Sequence, residues 1–174
     1  LITDLTPEAA QISIPPARPA IRRTLELANL VSKLLDSDPG IAPRAALFDL
    51  ADSLASLIDE MQGEGVAPER LKDLNVADQS GHWQRSLRFV QLVQDYLLGT
   101  QDTPDAEGRQ REIVLALISQ WRKAPPQDPI ILAGSTGSRG TTALLMEAIS
   151  LLPQGAVILP GFDFDMPAPV WDAL

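Results

Sequence analysis

Pro129-Ile130-Ile131-Leu132-Ala133-Gly134 is a short, unbroken apolar run closed by proline and glycine. Such a run is the mark of a strand buried on both faces. Downstream of it, Gly134 to Gly140 reads as a loop. Thr141 to Leu152 reads as a helix carrying Leu144, Leu145, Ala148, Ile149 and Leu152, and Ala156-Val157-Ile158-Leu159-Pro160 as a second buried strand. Strand, helix and strand within about 30 residues make a βαβ unit. Two parallel strands need further strands beside them, and these are expected in sequence lying before Leu1.

Upstream of Pro129 the period is helical. Ile21, Leu25, Ala28, Val31, Leu34 and Leu35 form one apolar stripe, ended by Asp36-Ser37-Asp38-Pro39-Gly40. A second helix starts near Pro43 and carries Leu47, Leu50, Leu54, Leu57, Ile58 and Met61, with Gly63 placed as its left-handed cap. Pro68 to Leu74 reads as a short helix. Ser80 caps a third long helix through Trp83, Leu87, Val90, Val93 or Gln94, and Leu97, closed by Gly99. A fourth, after a polar loop, carries Ile113, Val114, Leu117, Ile118 and Trp121 and stops at Pro125-Pro126. Residues 1–16, where Ile12 and Ile14 alternate with Gln11 and Ser13 before Pro15-Pro16, read as an extended arm or linker that packs on a neighbour outside the chain. The expected fold class is therefore α/β and mostly helical. A four-helix array (17–126) follows the arm (1–16) and leads into a βαβ unit (127–174).

Composition narrows the chemistry. The chain has 174 residues, enough for a real core, with 45% hydrophobic and 21% charged residues. It begins at Leu1 and stops just after Trp171-Asp172-Ala173, where a new amphipathic segment starts, so it reads as a piece of a larger protein. No stretch approaches the ~18 apolar residues of a membrane span, and residues 1–15 lack the pattern of a signal peptide. With no cysteine, the chain builds no disulfide, iron–sulfur cluster or thiolate zinc site, in keeping with a reducing, cytoplasmic compartment. One histidine, His82, leaves little for general-base catalysis, and no Ser/His/Asp set can be assembled around it. A formal charge of −9 argues against a broad phosphate-binding face. From Asp36 to Glu64 seven acids face the single Arg44, which reads as a solvated helical face or as a surface for a basic partner.

Three stretches carry candidate chemistry. Asp59-Glu60-Met61-Gln62 has the letters with which helicases hold Mg²⁺ and the attacking water. That box works at the end of a buried strand, whereas here it continues the helical period of Leu50, Leu54, Leu57 and Ile58. It is therefore expected at the polar end of a helix, facing solvent. Gly134-Ser135-Thr136-Gly137-Ser138-Arg139-Gly140-Thr141-Thr142 lies between strand and helix, where free N–H groups, a helix N-terminus and Arg139 suit an anion. Its spacing is not that of a phosphate loop, because Arg139 stands where the second Gly belongs and no Lys follows. The plainer alternative is a polar turn whose Ser and Thr residues cap the helix. Asp163 and Asp165 follow the second strand, where open α/β sheets often bind ligands, but without further ligands nearby they read as loop acids. Arg85 and Arg88, three apart on one helix, are the weak candidates for DNA contact.

The order of several segments adds a resemblance. Leu57-Ile58-Asp59-Glu60-Met61-Gln62-Gly63-Glu64-Gly65-Val66 is followed by His82-Trp83-Gln84 and by Trp121-Arg122 before a proline pair. Ile131-Leu132-Ala133-Gly134-Ser135-Thr136-Gly137-Ser138 and Leu152-Pro153-Gln154-Gly155-Ala156-Val157-Ile158-Leu159-Pro160-Gly161 complete the set. Together, from about Pro15 to the end, these resemble the N-terminal half of the AddB family, the alphaproteobacterial type of double-strand break repair helicase–nuclease subunit. The resemblance implies an AddA-type partner and a complex that unwinds and degrades broken DNA ends with ATP and Mg²⁺. It implies a superfamily 1 helicase core that has lost activity, with the nuclease and an iron–sulfur cluster outside this chain. Ile130–Gly134 would stand where a working helicase carries its acidic Mg²⁺ box, and here that strand ends in Ala133-Gly134-Ser135-Thr136 without an acid. The expected function is a non-catalytic scaffold and DNA-handling region, with no catalytic, cofactor or metal site of its own. Two alternatives stand beside it: a stand-alone nucleotide- or phosphate-binding α/β protein using residues 134–142, and an interaction module using the acidic face.

Overall fold

The computed structural model describes residues 13–73, 81–99, 103–161, 165 and 167–171, apart from the side chains at 71–73, 81–87, 89, 90, 168 and 171. The chain is mostly helical with a small parallel sheet, and it divides into two compact units, Leu1–Leu117 and Ile118–Leu174. Four long helices are present: α1 (Ala20–Ser37), α2 (Leu47–Glu64), α3 (Gly81–Gly99) and α4 (Ala106–Lys123). The division between the units falls within α4. Ser80 and the expected cap it forms lie outside the described residues.

Pro19 stands at the N-terminal boundary of α1, a place where its missing N–H costs no helical bond. At the other end the Asp38 N–H bonds the Leu34 carbonyl and the Asp38 carboxylate accepts from the Gly40 N–H at 3.2 Å. This local turn, with Pro39 unable to continue the helix, stops α1. The buried face of α1 is Leu27, Ala28, Val31, Leu34 and Leu35. Ile21 and Leu25, expected in that stripe, are 69% and 59% exposed. At the N-terminal end of α1 and just before it the inward positions go to polar groups, with Arg18 buried and Arg23 half-buried.

A 3-10 turn (Arg44–Ala46) leads into α2, whose Ala51, Leu54, Ile58 and Met61 pack on α1. The two helices run antiparallel. Arg23 near the start of α1 reaches Ala55 O and Asp59 late in α2, while Arg44 before α2 reaches Ser32 and Asp36 late in α1. Val93, Tyr96 and Leu97 of α3 complete the same core, and Ile113, Val114 and Leu117 of α4 are also buried. Leu57, expected on the inner face of α2, is 38% exposed, on the side away from Ile58.

The cap of α2 is Gly65, not Gly63. Gly65 has φ +71°, its N–H bonds Gln62 O, and the Val66 N–H bonds Met61 O. This is the paired-bond ending that favours a left-handed glycine. Gly63 is helical and buried, and its carbonyl accepts from Arg111 Nη1 at 2.8 Å. A Cβ on Gly65 would also lie 2.3 Å from the Arg111 guanidinium. Gly65→Ala is therefore expected to cost about 1–2 kcal/mol. Gly99→Ala, which meets nothing within 4 Å, serves as the control in the same urea titration.

The second unit contains β1 (Ile130–Ala133), α5 (Gly140–Ser150), β2 (Gly155–Ile158) and a short helix α6 (Ala168–Trp171). The strands pair in parallel, Ile130 opposite Gly155 and Ala133 opposite Ile158, so the expected βαβ unit is present. α5 packs on both strands through its inner face, where Leu145 and Ile149 are buried. The strands are not buried on both faces as expected. Their exposure alternates, and Ile131 and Ile158 are 63% and 57% exposed on the face away from α5. An apolar run fixes the strand but not the number of covering layers, and only one helix covers this sheet among the described residues.

Of the expected arm (1–16), only the end from Ser13 onward is described. Ser13 is helical, and residues 15–19 have no regular secondary structure. That stretch packs on its own chain: the Arg109 side chain donates to Pro15 O and the Arg18 N–H to Pro104 O. Residues 1–12 lie outside the described residues.

Candidate functional site

The Gly134–Arg139 stretch is the loop between β1 and α5, as its glycines indicate. Gly134 and Gly137 have φ +80° and +67°, and a Cβ at Gly137 would stand 2.9 Å from Met146 Sδ. The N–H groups that would face an anion are partly committed: Gly134 donates to Ile158 O at 3.1 Å and Gly137 to Ser135 Oγ at 3.3 Å. Arg139 itself occupies the N-cap position of α5 and makes no side-chain capping bond. Arg139 is also engaged by an interaction within the chain. Asp165 is exposed in a turn, and Asp163 lies outside the described residues.

Asp59-Glu60-Met61-Gln62 falls in the last turns of α2, as its period predicts. Its direction differs from expectation. Met61 is buried and Glu60 exposed, but the Asp59 carboxylate turns inward to Arg23. Arg23 Nη1 donates to Asp59 Oδ2 at 3.1 Å and Nη2 lies 2.8 Å from Oδ1. Of the DNA-contact candidates, Arg88 is paired with Asp38, which ties α3 to the end of α1. The Arg85 side chain lies outside the described residues, as do those of His82 and Trp83.

The structure assembles a constellation that sequence reading did not collect. Arg18, Arg23, Glu26, Asp59, Tyr96 and Asp105 meet where α1, α2, α3 and the start of α4 converge in the first unit. Arg18, with a side chain only 5% exposed, donates from Nη1 to Glu26 Oε2 at 2.7 Å and to Tyr96 Oη at 2.5 Å. Its Nη2 donates to Thr103 O at 3.0 Å, and its carbon Cζ lies 5.3 Å from the Tyr96 ring centre. Such a fork of donors is what guanidinium supplies and ammonium does not. Asp105, 2% exposed, stands between the two arginines: Arg23 Nε is 3.2 Å from Oδ2 and Arg18 Nε 4.0 Å from Oδ1. Neither approach has hydrogen-bond alignment, so the Asp105 carboxylate is held by charge alone.

The fields in this cluster oppose one another. Burial pushes the Asp105 carboxyl above its ordinary value, and Arg23 and Arg18 only partly pull it back. Burial works against the Arg23 charge, but the hydrogen bond to Asp59 and the fields of Asp105 and Asp59 outweigh it and hold the group above its ordinary value. The Tyr96 hydroxyl is raised by burial and by Asp105. Because the folded pKa of Asp105 is raised, its contribution to stability is fully present below the ordinary 3.8 and is lost as pH rises through the folded value. Asp105→Asn is neutral at every pH. Its stability at pH 7 is expected within about 1 kcal/mol of the parent, with a flatter curve just above the carboxylate range. A loss beyond about 3 kcal/mol at pH 7, the scale of a broken buried pair, would show that the charged carboxylate is a net stabiliser.

No group of three or more His, Cys, Asp or Glu side chains is placed to hold a metal ion among the described residues. No described helix is long and apolar enough to cross a membrane. Comparison of the chain with family models, curated proteins and solved structures gives no match.

Proposed function

We propose that the chain is a non-catalytic, helicase-like scaffold and DNA-handling region of an AddB-type helicase–nuclease subunit, acting with an AddA-type partner on double-strand DNA breaks in the cytoplasm. The observation that carries this reading is the fate of the helicase-like letters. Asp59-Glu60-Met61-Gln62 lies on α2, not at the end of a strand, and the Asp59 carboxylate pairs with Arg23. Phosphoryl transfer needs a cation at the phosphates and an acid-held Mg²⁺. β1 ends in Ala133-Gly134-Ser135-Thr136, and the loop after it has no Lys. Four long helices followed by a βαβ unit, together with the order of the segments quoted above, support the AddB-type context. ATP, Mg²⁺ and an iron–sulfur cluster then belong to other parts of the complex.

Co-purification of the full-length protein from its source cell tests the reading, with an AddA-type helicase–nuclease subunit as the expected partner. Calorimetry of the 174-residue chain with ATP and Mg²⁺ is the second arm and should show no saturable binding. Saturable binding lost in Asp59→Ala/Glu60→Ala would overturn the scaffold reading. Binding lost instead in Arg139→Ala would favour a phosphate-binding protein that uses the 134–142 loop.

A further inference from the structure

Two grooves open on the first unit, and one short stretch of chain stands between them. The larger, about 520 Å³, is lined by Arg22, Asn29, Leu92 and Tyr96 among others, and the smaller, about 380 Å³, by Gln62, Leu97, Pro104 and Arg111. Thr103 borders both. Among the described residues, Thr103-Pro104-Asp105 is held to the chain before α1 by two hydrogen bonds of residue 18: its backbone N–H donates to Pro104 O at 2.9 Å, and Arg18 Nη2 donates to Thr103 O at 3.0 Å. The third hold, Asp105 facing Arg23 and Arg18, lacks hydrogen-bond alignment and carries the cost of burial described above. Five buried polar atoms at this one spot (Arg18 Nε, Arg23 Nε, Asp59 Oδ1 and both Asp105 carboxylate oxygens) make no hydrogen bond. Well-packed interiors rarely leave so many together.

We infer that Thr103–Asp105 is a strap latched by Arg18, and that releasing the latch opens the wall between the two grooves without unfolding the core. The strong contacts of the latch go to backbone carbonyls, so they survive changes of side chain in the strap. The carboxylate beneath it adds little hold. An opening of this kind belongs to the low-energy end of native fluctuations, because it breaks a few bonds at one corner while Leu27, Val31, Ile58 and Val93 stay packed. Lysine at position 18 keeps the charge near Glu26 but cannot bond Thr103 O, Tyr96 Oη and Glu26 together.

Residue-resolved hydrogen exchange on the 174-residue chain tests this. Two amides report on the strap, that of residue 18 (bonded to Pro104 O) and that of Arg109 (bonded to Asp105 O), and the amide of Ile58 reports on the core. In the parent protein both strap amides should exchange faster than Ile58. In Arg18→Lys they should exchange about tenfold faster still, the effect expected from losing one charge-assisted bond or more, with Ile58 changing much less. Arg22→Ala, an exposed position on the rim of the larger groove, should leave both strap amides unchanged. The inference is overturned if the strap amides and Ile58 exchange at one common rate in parent and variant, which would mean that the corner opens only when the protein unfolds. A strap accelerated equally by Arg22→Ala would also overturn it, since Arg18 would then not be the latch.

Discussion

Arg18→Ala should lower the stability of the chain by about 3–5 kcal/mol, the scale seen when one partner of a buried ionic network is removed. The side chain is 5% exposed and bonds three separate parts of the first unit: Glu26 in α1, Tyr96 in α3 and the Thr103 carbonyl before α4. Its loss leaves a partly buried carbonyl and a buried phenol without the Arg18 donor, and it removes one of the two cations that face Asp105. Each such group then bears its desolvation cost unrelieved. Arg18→Lys should stay much nearer the parent than Ala, because the charge survives and only the fork is lost. Urea titration followed by circular dichroism measures this as a fall in midpoint at constant slope. If Arg18→Ala loses less than about 1 kcal/mol, the network is close to neutral in energy, as some buried ion pairs are. In that case the convergence of the helices rests on the apolar core alone.

That contrast also explains what the sequence disclosed and what it withheld. Helix existence was legible because the apolar positions of α1 to α4 recur at helical spacing, and a local period needs no knowledge of distant partners. The choice between Ile21/Leu25 and the Arg18/Arg23 pair for the inner face of the first turn was not legible. It depends on Tyr96, which is 78 residues from Arg18, and on Asp105. In the sequence Arg22-Arg23 is an isolated basic pair and Asp105 stands more than 80 residues away, with no local signal joining them. Gly63 was the expected cap, but Arg111 of α4 takes its carbonyl and the backbone turns at Gly65, a choice that depends on a helix 48 residues away. The Asp59 box was legible as helical from its period, but its inward turn required Arg23 from another helix. For the 134–139 loop, glycine spacing disclosed the turn. That Gly134 and Gly137 use their N–H groups within the chain depends on β2 and on local geometry.

Gly155→Ala should be among the most damaging single-methyl changes in the chain, at about 3 kcal/mol, the upper range of overpacking. Gly155 begins β2 opposite Ile130, immediately after the turn that brings the chain back from α5. In that turn the Leu152 N–H bonds Ile149 O and the Gly155 N–H bonds Leu152 O, both at 3.1 Å. A Cβ on Gly155 would stand 1.8 Å from Ile149 O and 2.9 Å from both Ile149 C and Leu152 Cβ. The first two are backbone atoms at the end of α5, and they cannot withdraw without moving the helix whose Ile149 side chain is 2% exposed against the sheet. Relief therefore has to come from β2, by loosening its register on β1. Two amides report that register directly: Ile130, bonded to Gln154 O, and Gly134, bonded to Ile158 O. Both should lose hydrogen-exchange protection in Gly155→Ala, while Ile58 in the first unit keeps its own. Gly134→Ala provides the comparison, because its Cβ meets nothing within 4 Å and only its φ of +80° opposes the change. That substitution should cost nearer 1 kcal/mol, the ordinary penalty for an alanine in the left-handed region. Gly155 itself does not lie in the left-handed region, so equal losses in the two variants would mean that the end of α5 yields to the added methyl and the collision costs far less than its 1.8 Å approach implies.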